Sequence, residues 1–305
     1  MKQAPEEQTI RVIQAASFNM RTSNKGNIEE LARVMKQLNI DIAAIQETKR
    51  IPVREWGTII SNIDISSKHI FYGNGRGESE KGKGGIIGEI GFLLSTDLAD
   101  HVVQPAQEIL DLCDSRISVL YIVSDEGLKL AFVNIYAPCN DHTEETRENY
   151  YTNLSKVLSK IPIDFKIICL GDFNARIAKN WALEELEERD EIDGTAVVGK
   201  FTDPKVTEND RNGDFLLEVC EKNKLAIAST FHDNNVGTWM HTNKNKVISE
   251  YTLDHILIKQ DSFDMIITCK VDKLTGLNSD HHPIIFSLGV EIRKVQKKKE
   301  KKGKN

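Results

Sequence analysis

Short apolar runs with the length of β-strands recur along almost the whole chain of 305 residues, and stretches with helical spacing lie between them. The runs lie at 11–18, 40–45, 91–95, 117–123, 128–136, 166–170, 225–229, 252–258 and 284–288. No linker-like break interrupts this mixture before residue 290, and no internal repeat is visible. The pattern predicts one α/β domain over 11–290, a flexible N-terminus at 1–10 and a disordered basic tail at 291–305.

Three segments have the apolar spacing of helices with one buried face. We predict helices over 27–39, 143–160 and 214–223. Asn27 followed by Glu30 fits a capped start for the first of them. Residues 73–88, rich in glycine and charge, are predicted to form a loop or hairpin. They do not fit a phosphate-binding P-loop, because no Gly-Lys-Ser/Thr follows the glycines.

Polar residues that suit a metal or catalytic site end or interrupt several of the predicted strands. They are Asn19, Glu47, Asp172, Asn174, Asp254, Asp280 and His281. A carboxylate at the end of a buried strand, or inside one, needs a hydrogen-bonding partner or a metal ion. Such side chains can converge on one rim of a sheet, and the pattern therefore indicates a shared site.

Each of these residues also has an ordinary structural explanation. Asn19 and Asn174 fit turn positions. Asp172 fits a helix cap, and Asp254 fits a structural pair with His255. The histidine of the set, taken alone, is more often a surface or hydrogen-bonded residue than a base. The joint occurrence of these residues, rather than any one of them, favours a site.

The charge is unevenly distributed. The net charge is −6, but residues 293–305 hold eight Lys or Arg and one Glu, a net +7 that leaves −13 for the rest. An acidic body is compatible with a metal site that gathers carboxylates. The basic tail is compatible with phosphate binding, with nuclear import, or with a solvated end that does neither.

The cysteines and the apolar runs bear on the compartment. The N-terminal sequence MKQAPEEQTI lacks the apolar core of a signal peptide, and no apolar run reaches the length that spans a bilayer. Five cysteines, with no CxxC pair, suggest neither a zinc ribbon nor a redox motif, and buried free thiols are expected. We therefore expect the chain to stay on the reducing side of the cell.

Six ordered segments resemble motifs of the endonuclease/exonuclease/phosphatase superfamily, which includes AP endonucleases and DNase I. They are Phe-Asn from Phe18, Ile-Gln-Glu-Thr from Ile45, Asn-Ile-Tyr-Ala-Pro from Asn134, Leu-Gly-Asp-Phe-Asn-Ala from Leu170, Leu-Asp-His-Ile-Leu from Leu253 and Ser-Asp-His-His-Pro from Ser279. The resemblance covers about residues 11–288. It implies a DNase I-like α/β fold, a four-layer sandwich of two packed mixed β-sheets flanked by helices.

A narrower resemblance is to the endonuclease domains of LINE-type retrotransposons, the RTE and BovB group in particular, and to craniofacial-development-protein-2-like sequences. It rests on residues 197–200, 212–214, 215–223 and 238–239. Inositol-phosphate phosphatases of the superfamily carry Cys-Asp-Arg where this chain has Leu-Asp-His at 253–255. Their substrate contacts are therefore missing here.

The resemblance implies a Mg²⁺ site, with Mn²⁺ as a substitute, in which Glu47 is the main ligand. Asp280 and Asn19 would complete or orient the ligand shell of the metal. His281 would act as the general base or contact the phosphate, and Asp254 would hold its imidazole in the needed tautomer.

Other roles follow from the same resemblance. In a rival assignment within the superfamily, Asp172 activates the water. Asn174 and Tyr136 would donate hydrogen bonds to the phosphate or to developing charge. His282 lies where the superfamily varies and receives no role.

Two further residues are candidates for contact with nucleic acid. Trp239 would stack on bases or wedge against them, the alternative being a core tryptophan. Arg116 would contact the DNA backbone or, equally, pair with Asp114.

Together these assignments predict a monomeric, Mg²⁺-dependent endonuclease of the nucleus, or alternatively the cytoplasm, that nicks one DNA strand. The products implied by the resemblance are a 3′-hydroxyl and a 5′-phosphate. An AP-site repair enzyme is the first alternative. A non-catalytic nucleic-acid-binding protein descended from a domesticated element is another, and a transposon fragment without a host role also remains open.

Overall fold

The computed structural model describes residues 8–21, 25–48, 59–60, 69–74, 90–178, 196–234, 236–243, 246–273 and 279–293. Within them lie fifteen strands: β1 Gln8–Asn19, β2 Ile42–Gln46, β3 Ile59–Ile60, β4 His69–Asn74, β5 Ile90–Ser95, β6 Val102–Val103, β7 Ile117–Val123, β8 Lys129–Tyr136, β9 Lys166–Asp172, β10 Leu225–Ile227, β11 Trp239–Asn243, β12 Lys246–Tyr251, β13 Asp254–Lys259, β14 Ile266–Val271 and β15 Ile284–Arg293. The helices are α1 Lys25–Gln37, α2 Thr96–Ala99, α3 Gln107–Leu110, α4 Glu144–Lys160 and α5 Arg211–Asn223, with 3-10 turns at Ala228–Phe231 and Gln260–Met265.

The strands form two large mixed sheets and one hairpin. The first sheet has the order β14-β15-β1-β2-β5-β4-β3, and the second has the order β10-β13-β9-β8-β7-β6. Each sheet contains one parallel pair, β1 with β2 in the first and β8 with β9 in the second. Strands β11 and β12 form a separate antiparallel hairpin.

Apolar side chains divide the molecule into four layers. The two sheets pack face to face, with Ile42 and Phe92 of the first sheet meeting Leu130 and Ile168 of the second in one buried cluster. Helix α1 covers the outer face of the first sheet. Helices α4 and α5 cover the outer face of the second sheet, where Tyr151 is among the largest buried side chains. The predicted four-layer α/β sandwich is confirmed.

The limits of several elements differ from those predicted. Strand β1 begins at Gln8 rather than residue 11, and β15 continues to Arg293, past the predicted end of the domain at 290. Helix α1 begins at Lys25, so Asn27 lies inside it and is not its cap. Helix α5 begins three residues before Asp214, because the Asp210 side chain accepts a hydrogen bond from the Gly213 N–H at 2.8 Å and caps the helix.

Other predictions are confirmed or lie outside the described residues. The helix predicted over 143–160 is confirmed as α4, and Thr143 is its cap, with its hydroxyl accepting from the Thr146 N–H. The tail at 294–305, most of the glycine-rich stretch (75–89) and residues 179–195 lie outside the described residues. All five cysteines are free, and four are buried as expected, but Cys139 is only half-buried.

A polar contact joins the two sheets at their buried interface. The Gln46 amide of β2 donates to the Asn134 Oδ1 of β8 at 2.7 Å. The Asn134 Nδ2 in turn donates to the backbone oxygens of Ile45 at 3.1 Å and Gly91 at 2.7 Å. The Asn134 side chain is fully buried, so its hydrogen bonds replace those lost to water.

We expect Asn134→Leu to lower the free energy of unfolding by about 2–3 kcal/mol, because it leaves the Gln46 amide and two carbonyls without this partner in the core. Urea unfolding followed by circular dichroism measures the loss. The exposed Asn149 on α4 provides the matched control, since Asn149→Leu should change stability by less than about 0.5 kcal/mol. Equal stability of the two variants would contradict a structural role for the bridge.

Candidate active site

The site lies on the rim where the C-terminal ends of the two parallel pairs meet. Asn19 ends β1 beside Gln46 of β2, and Glu47 follows directly. On the second sheet, Tyr136 of β8 is the register partner of Asp172 of β9. The two sheets therefore each supply one half of the site.

A cleft of about 310 Å³ opens on this rim. The residues predicted from the sequence that line it are Glu47, Tyr136, Asp172, Asn174, Trp239, Asp280 and His281. Asn19 and Asp254 are buried and hydrogen-bond to lining residues. Arg116 is not among the residues that line the cleft in the part of the chain described.

Glu47 and Asn174 both adopt the left-handed backbone conformation, with φ of 57° and 47°. Non-glycine residues rarely adopt it, and the strain is tolerated mainly where the surrounding structure enforces it, often at functional sites. The Tyr136 hydroxyl donates to the Glu47 Oε1 at 3.0 Å, which fixes the direction of this carboxylate. The Asn174 Nδ2 donates to the Ala137 carbonyl at 2.8 Å.

Asp172 is buried and hydrogen-bonded on both oxygens. Its Oδ2 accepts from the Asn19 Nδ2 at 3.0 Å, and its Oδ1 accepts from the Asn174 N–H at 2.9 Å. The second contact is an Asx-type turn, so Asp172 does not cap a helix. Burial, followed by the nearby Asp254 carboxylate, raises the pKa of Asp172 to about 7.

His281 is held by Asp254 in the interior of the rim. The His281 Nδ1 lies 2.9 Å from the Asp254 Oδ2, and the His281 Nε2 lies 3.9 Å from the Asp172 Oδ2. Burial alone would lower the pKa of the imidazole, but the carboxylates of Asp254, Asp172 and Asp280 outweigh it and raise the pKa to about 9. The proposed structural pair of Asp254 with His255 is wrong, because the His255 Nε2 lies 3.0 Å from the Ala175 carbonyl oxygen instead.

The His281 pairing makes a testable prediction about its titration. In the metal-free protein, the pKa of His281 should be about 9, and Asp254→Asn should lower it, because the largest charge that raises it is removed. A group whose folded pKa exceeds its unfolded value of about 6.5 stabilises the fold fully below that value. The stabilisation is then lost as the pH rises toward 9. Histidine NMR titration in EDTA measures the pKa, and an unchanged value in the variant would contradict the pairing.

Asp280 carries a carboxylate oxygen that suits a metal ion. Its Oδ2 accepts from the Arg21 guanidinium at 2.8 Å and from the Trp239 Nε1 at 3.3 Å. Its Oδ1 is buried and has no hydrogen-bond partner within the described parts of the chain. A buried, unpartnered carboxylate oxygen is costly unless something positive binds it. Together with the nearby Glu47, it offers the hard oxygen ligands that Mg²⁺ prefers.

A second group of possible metal ligands lies deeper. Atoms of Asp172, Asp254 and His281 all lie within 4.8 Å of one another. However, their hydrogen bonds to one another and to Asn19 already occupy most of these atoms. We therefore favour Glu47 and Asp280, which also line the cleft, as the candidate ligands.

The two predicted nucleic-acid contacts have different positions. Trp239 is half-buried, lines the cleft and donates to Asp280. It is therefore not a core tryptophan. The Arg116 side chain lies over the Tyr136 ring, 5.0 Å from its centroid, and its backbone N–H donates to the Asp114 carboxylate at 2.7 Å. Arg116 thus supports Tyr136 from behind.

Sequence reasoning missed several residues of the cleft. Arg21, Asp141, Arg176 and Asp210 all line it. Arg21 follows the Phe-Asn segment by two residues, and Arg176 follows Asn174 by two. Their position beside the recognised motifs is the sequence feature that could have indicated them. Ser279 is placed as a positioning residue, its hydroxyl donating to the Asn19 carbonyl at 2.7 Å.

The sequence and the fold of this chain are similar to those of several known proteins. Residues 130–285, about half of the chain, match the model of the endonuclease-reverse transcriptase family. Craniofacial development protein 2 of Bos taurus is 21% identical over 286 residues, which is 92% of this chain. The chain spans 42% of the length of that relative.

Solved structures show the same fold at low identity. The endonuclease domain of TRAS1, a telomere-specific non-LTR retrotransposon, superposes with a TM-score of 0.61 at 20% identity, covering 91% of this chain and 98% of that one. The AP endonuclease of Leishmania major superposes with a TM-score of 0.60 at 13% identity, covering 91% of this chain and 88% of that one.

None of the helices in the described segments is long and apolar enough to cross a membrane.

Proposed function

Because this chain belongs to the endonuclease-reverse transcriptase family of DNase I-like nucleases and phosphodiesterases, we propose that it is a Mg²⁺-dependent endonuclease. Its substrate would be the phosphodiester backbone of DNA, in which it nicks one strand. The observation that carries the proposal is the buried Asp280 Oδ1, which lacks a partner within the described structure, in the cleft that Glu47 also lines.

The metal, when bound to Glu47 and Asp280, would polarise a phosphoryl oxygen and offset the charge that develops there. Asn19 supports this arrangement from below, since its Nδ2 lies 3.4 Å from the Glu47 Oε1 and 3.0 Å from the Asp172 Oδ2. One amide thus orients a carboxylate from each sheet.

The attacking water needs a group that accepts its proton. Asp172 and His281 face each other across 3.9 Å at the bottom of the cleft, and Asp254 occupies the other nitrogen of the imidazole. We assign the proton to this Asp172–His281 pair, which can hold it between a carboxylate and an imidazole. Asn174 borders the same space and is the candidate donor to the phosphate, because its amide carries a second N–H besides the one donated to Ala137. Tyr136 also borders this space, but its single O–H is donated to Glu47, so its role is to orient that carboxylate.

A plasmid assay tests the proposal. The purified protein should convert supercoiled plasmid to the open circle in Mg²⁺ and should leave it intact in EDTA. The nick should be sealed by DNA ligase without prior treatment, because the expected ends are a 3′-hydroxyl and a 5′-phosphate. Nicking that continues in EDTA, or a protein that binds plasmid but never cuts it, would overturn the proposal, the second result in favour of a binding protein.

Repair of abasic sites is the second candidate, because the superposition on the AP endonuclease is about as good as that on the retrotransposon domain. A duplex with a single abasic site, compared with the same duplex without it, separates the two. Comparable cleavage of both duplexes supports the nicking endonuclease. A strong preference for the abasic duplex would replace it with the repair function.

A further inference from the structure

Arg176 is a cationic residue of the cleft that has no part in the proposed metal binding or proton transfer. It lies four residues past Asp172, in the segment that follows β9, and it lines the cleft. Its N–H donates to the Asp210 Oδ1 at 3.1 Å, and its carbonyl accepts from the Asp210 N–H at 3.4 Å. A Cβ at Gly213 would come within 2.3 Å of the Arg176 carbonyl oxygen, so only glycine permits this close approach. The backbone of Arg176 is therefore clamped to the start of α5.

An aromatic stack positions the side chain. The guanidinium carbon of Arg176 lies 3.9 Å from the centroid of the Tyr251 ring, a close cation–π distance. Tyr251 stacks in turn on Trp239, with centroids 6.3 Å apart and planes 21° apart. Trp239 donates to Asp280. The stack thus sets the guanidinium at a fixed place relative to the proposed metal ligand.

The charges around Arg176 make its lack of a partner informative. The cleft is lined by the carboxylates of Glu47, Asp172 and Asp280, and the Arg21 guanidinium is already paired with Asp280. Arg176 forms no ion pair with any carboxylate placed by the structure, and its Nε is buried without a hydrogen-bond partner there. A half-buried guanidinium that is stacked but not paired is preorganised to bind an anion.

We propose that Arg176 binds a non-bridging oxygen of a phosphate next to the one that is cut, and so positions the DNA strand in the cleft. The proposal rests on the proposed function. Stacking on Tyr251 uses the flat face of the guanidinium and leaves its in-plane N–H groups for the phosphate. Because Arg176 covers that face of Tyr251, a base cannot stack there unless the arginine moves, which favours the phosphate as its ligand.

Binding measurements in the Glu47→Gln background test this role without cleavage. Arg176→Gln should weaken binding to a fluorescent duplex about 10-fold and reduce the slope of log affinity against log salt by about one, as the loss of one phosphate contact requires. Arg176→Lys should keep the salt slope and recover part of the affinity. Arg211→Gln is the matched control, because Arg211 lies 4.4 Å over the Phe215 ring, pairs with Glu144 and is exposed outside the cleft.

Neutral phosphates then locate the contact. Each phosphate that flanks the cut site is replaced in turn by an uncharged methylphosphonate, and the affinity for the duplex is measured. With Arg176 present, the replacement at one position should weaken binding. In Arg176→Gln, the replacement at that same position should cause no further loss of affinity. A purely structural arginine would leave the salt slope and the methylphosphonate pattern unchanged, which would overturn the inference while the plasmid nicking of the wild type stands. A wild type that neither binds nor nicks DNA would overturn both the inference and the proposed function.

Discussion

Replacing Glu47 with glutamine is expected to slow Mg²⁺-dependent plasmid nicking by about 10²–10³-fold, the cost of removing one group that stabilises charge in a transition state. Glutamine keeps the size of the side chain and can still accept the hydrogen bond from Tyr136. What it removes is the carboxylate charge that attracts Mg²⁺. The fold should therefore persist while the activity falls.

The Glu47 experiment separates metal binding from structure. Nicking rates are measured over a Mg²⁺ series, together with the thermal unfolding midpoint of each variant. Glu148 on α4 is exposed and does not line the cleft, so Glu148→Gln controls for the loss of one negative charge. If Glu47→Gln nicked at the wild-type rate, Glu47 would not be a metal ligand and the site assignment would fail.

His281→Ala is expected to reduce nicking by about 10²–10⁴-fold, the range typical of a residue that handles the proton of a reacting group. It should also destabilise the protein by about 3–5 kcal/mol, because the buried Asp254 loses the cation that faces it. Both effects come from one imidazole, so the activity must be measured at a temperature where the variant is folded.

The neighbouring histidine gives the control for this variant. His282 is half-buried, its N–H donates to the Thr238 carbonyl at 2.7 Å, and it does not line the cleft. We expect His282→Ala to retain nicking within a few-fold of the wild type. Asp254→Asn combined with His281→Ala removes the unpaired charge, so the double variant should regain stability but not activity. Recovery of activity in the double variant would contradict a role for His281 in the reaction.

Much of the site was predictable because it follows from local sequence. An apolar run that ends in a polar residue marks a strand end, and Asn19, Glu47 and Asp172 are such residues. The structure brings these three together, since parallel strands in each sheet end on the same rim. The layers of the fold followed from the resemblance carried by the same segments.

The remainder depends on contacts between residues far apart in the chain. Arg176 and Tyr251 are 75 positions apart, and no local sequence pattern predicts that the arginine lies over the tyrosine ring. Strand β14 was missed because it mixes buried and exposed residues without alternation, leaving Ile267 half exposed. Helix α5 begins earlier than predicted because Asp210 caps it. The sequence prediction began the helix at Asp214 and did not identify Asp210 as the cap.

The division of the site between the two ends of the domain sequence has a consequence for how activity appears during synthesis. Asn19 and Asp280 are 261 positions apart, and the Arg21–Asp280 contact joins the two ends of the folded domain. While the segment around Asp280 is still inside the ribosome, the emerged chain contains Glu47 and Asp172. It still lacks the proposed metal ligand Asp280 and the imidazole of His281. The growing polypeptide is therefore expected to be harmless to nucleic acid, and cutting activity should arise in a single step once β15 docks against β1.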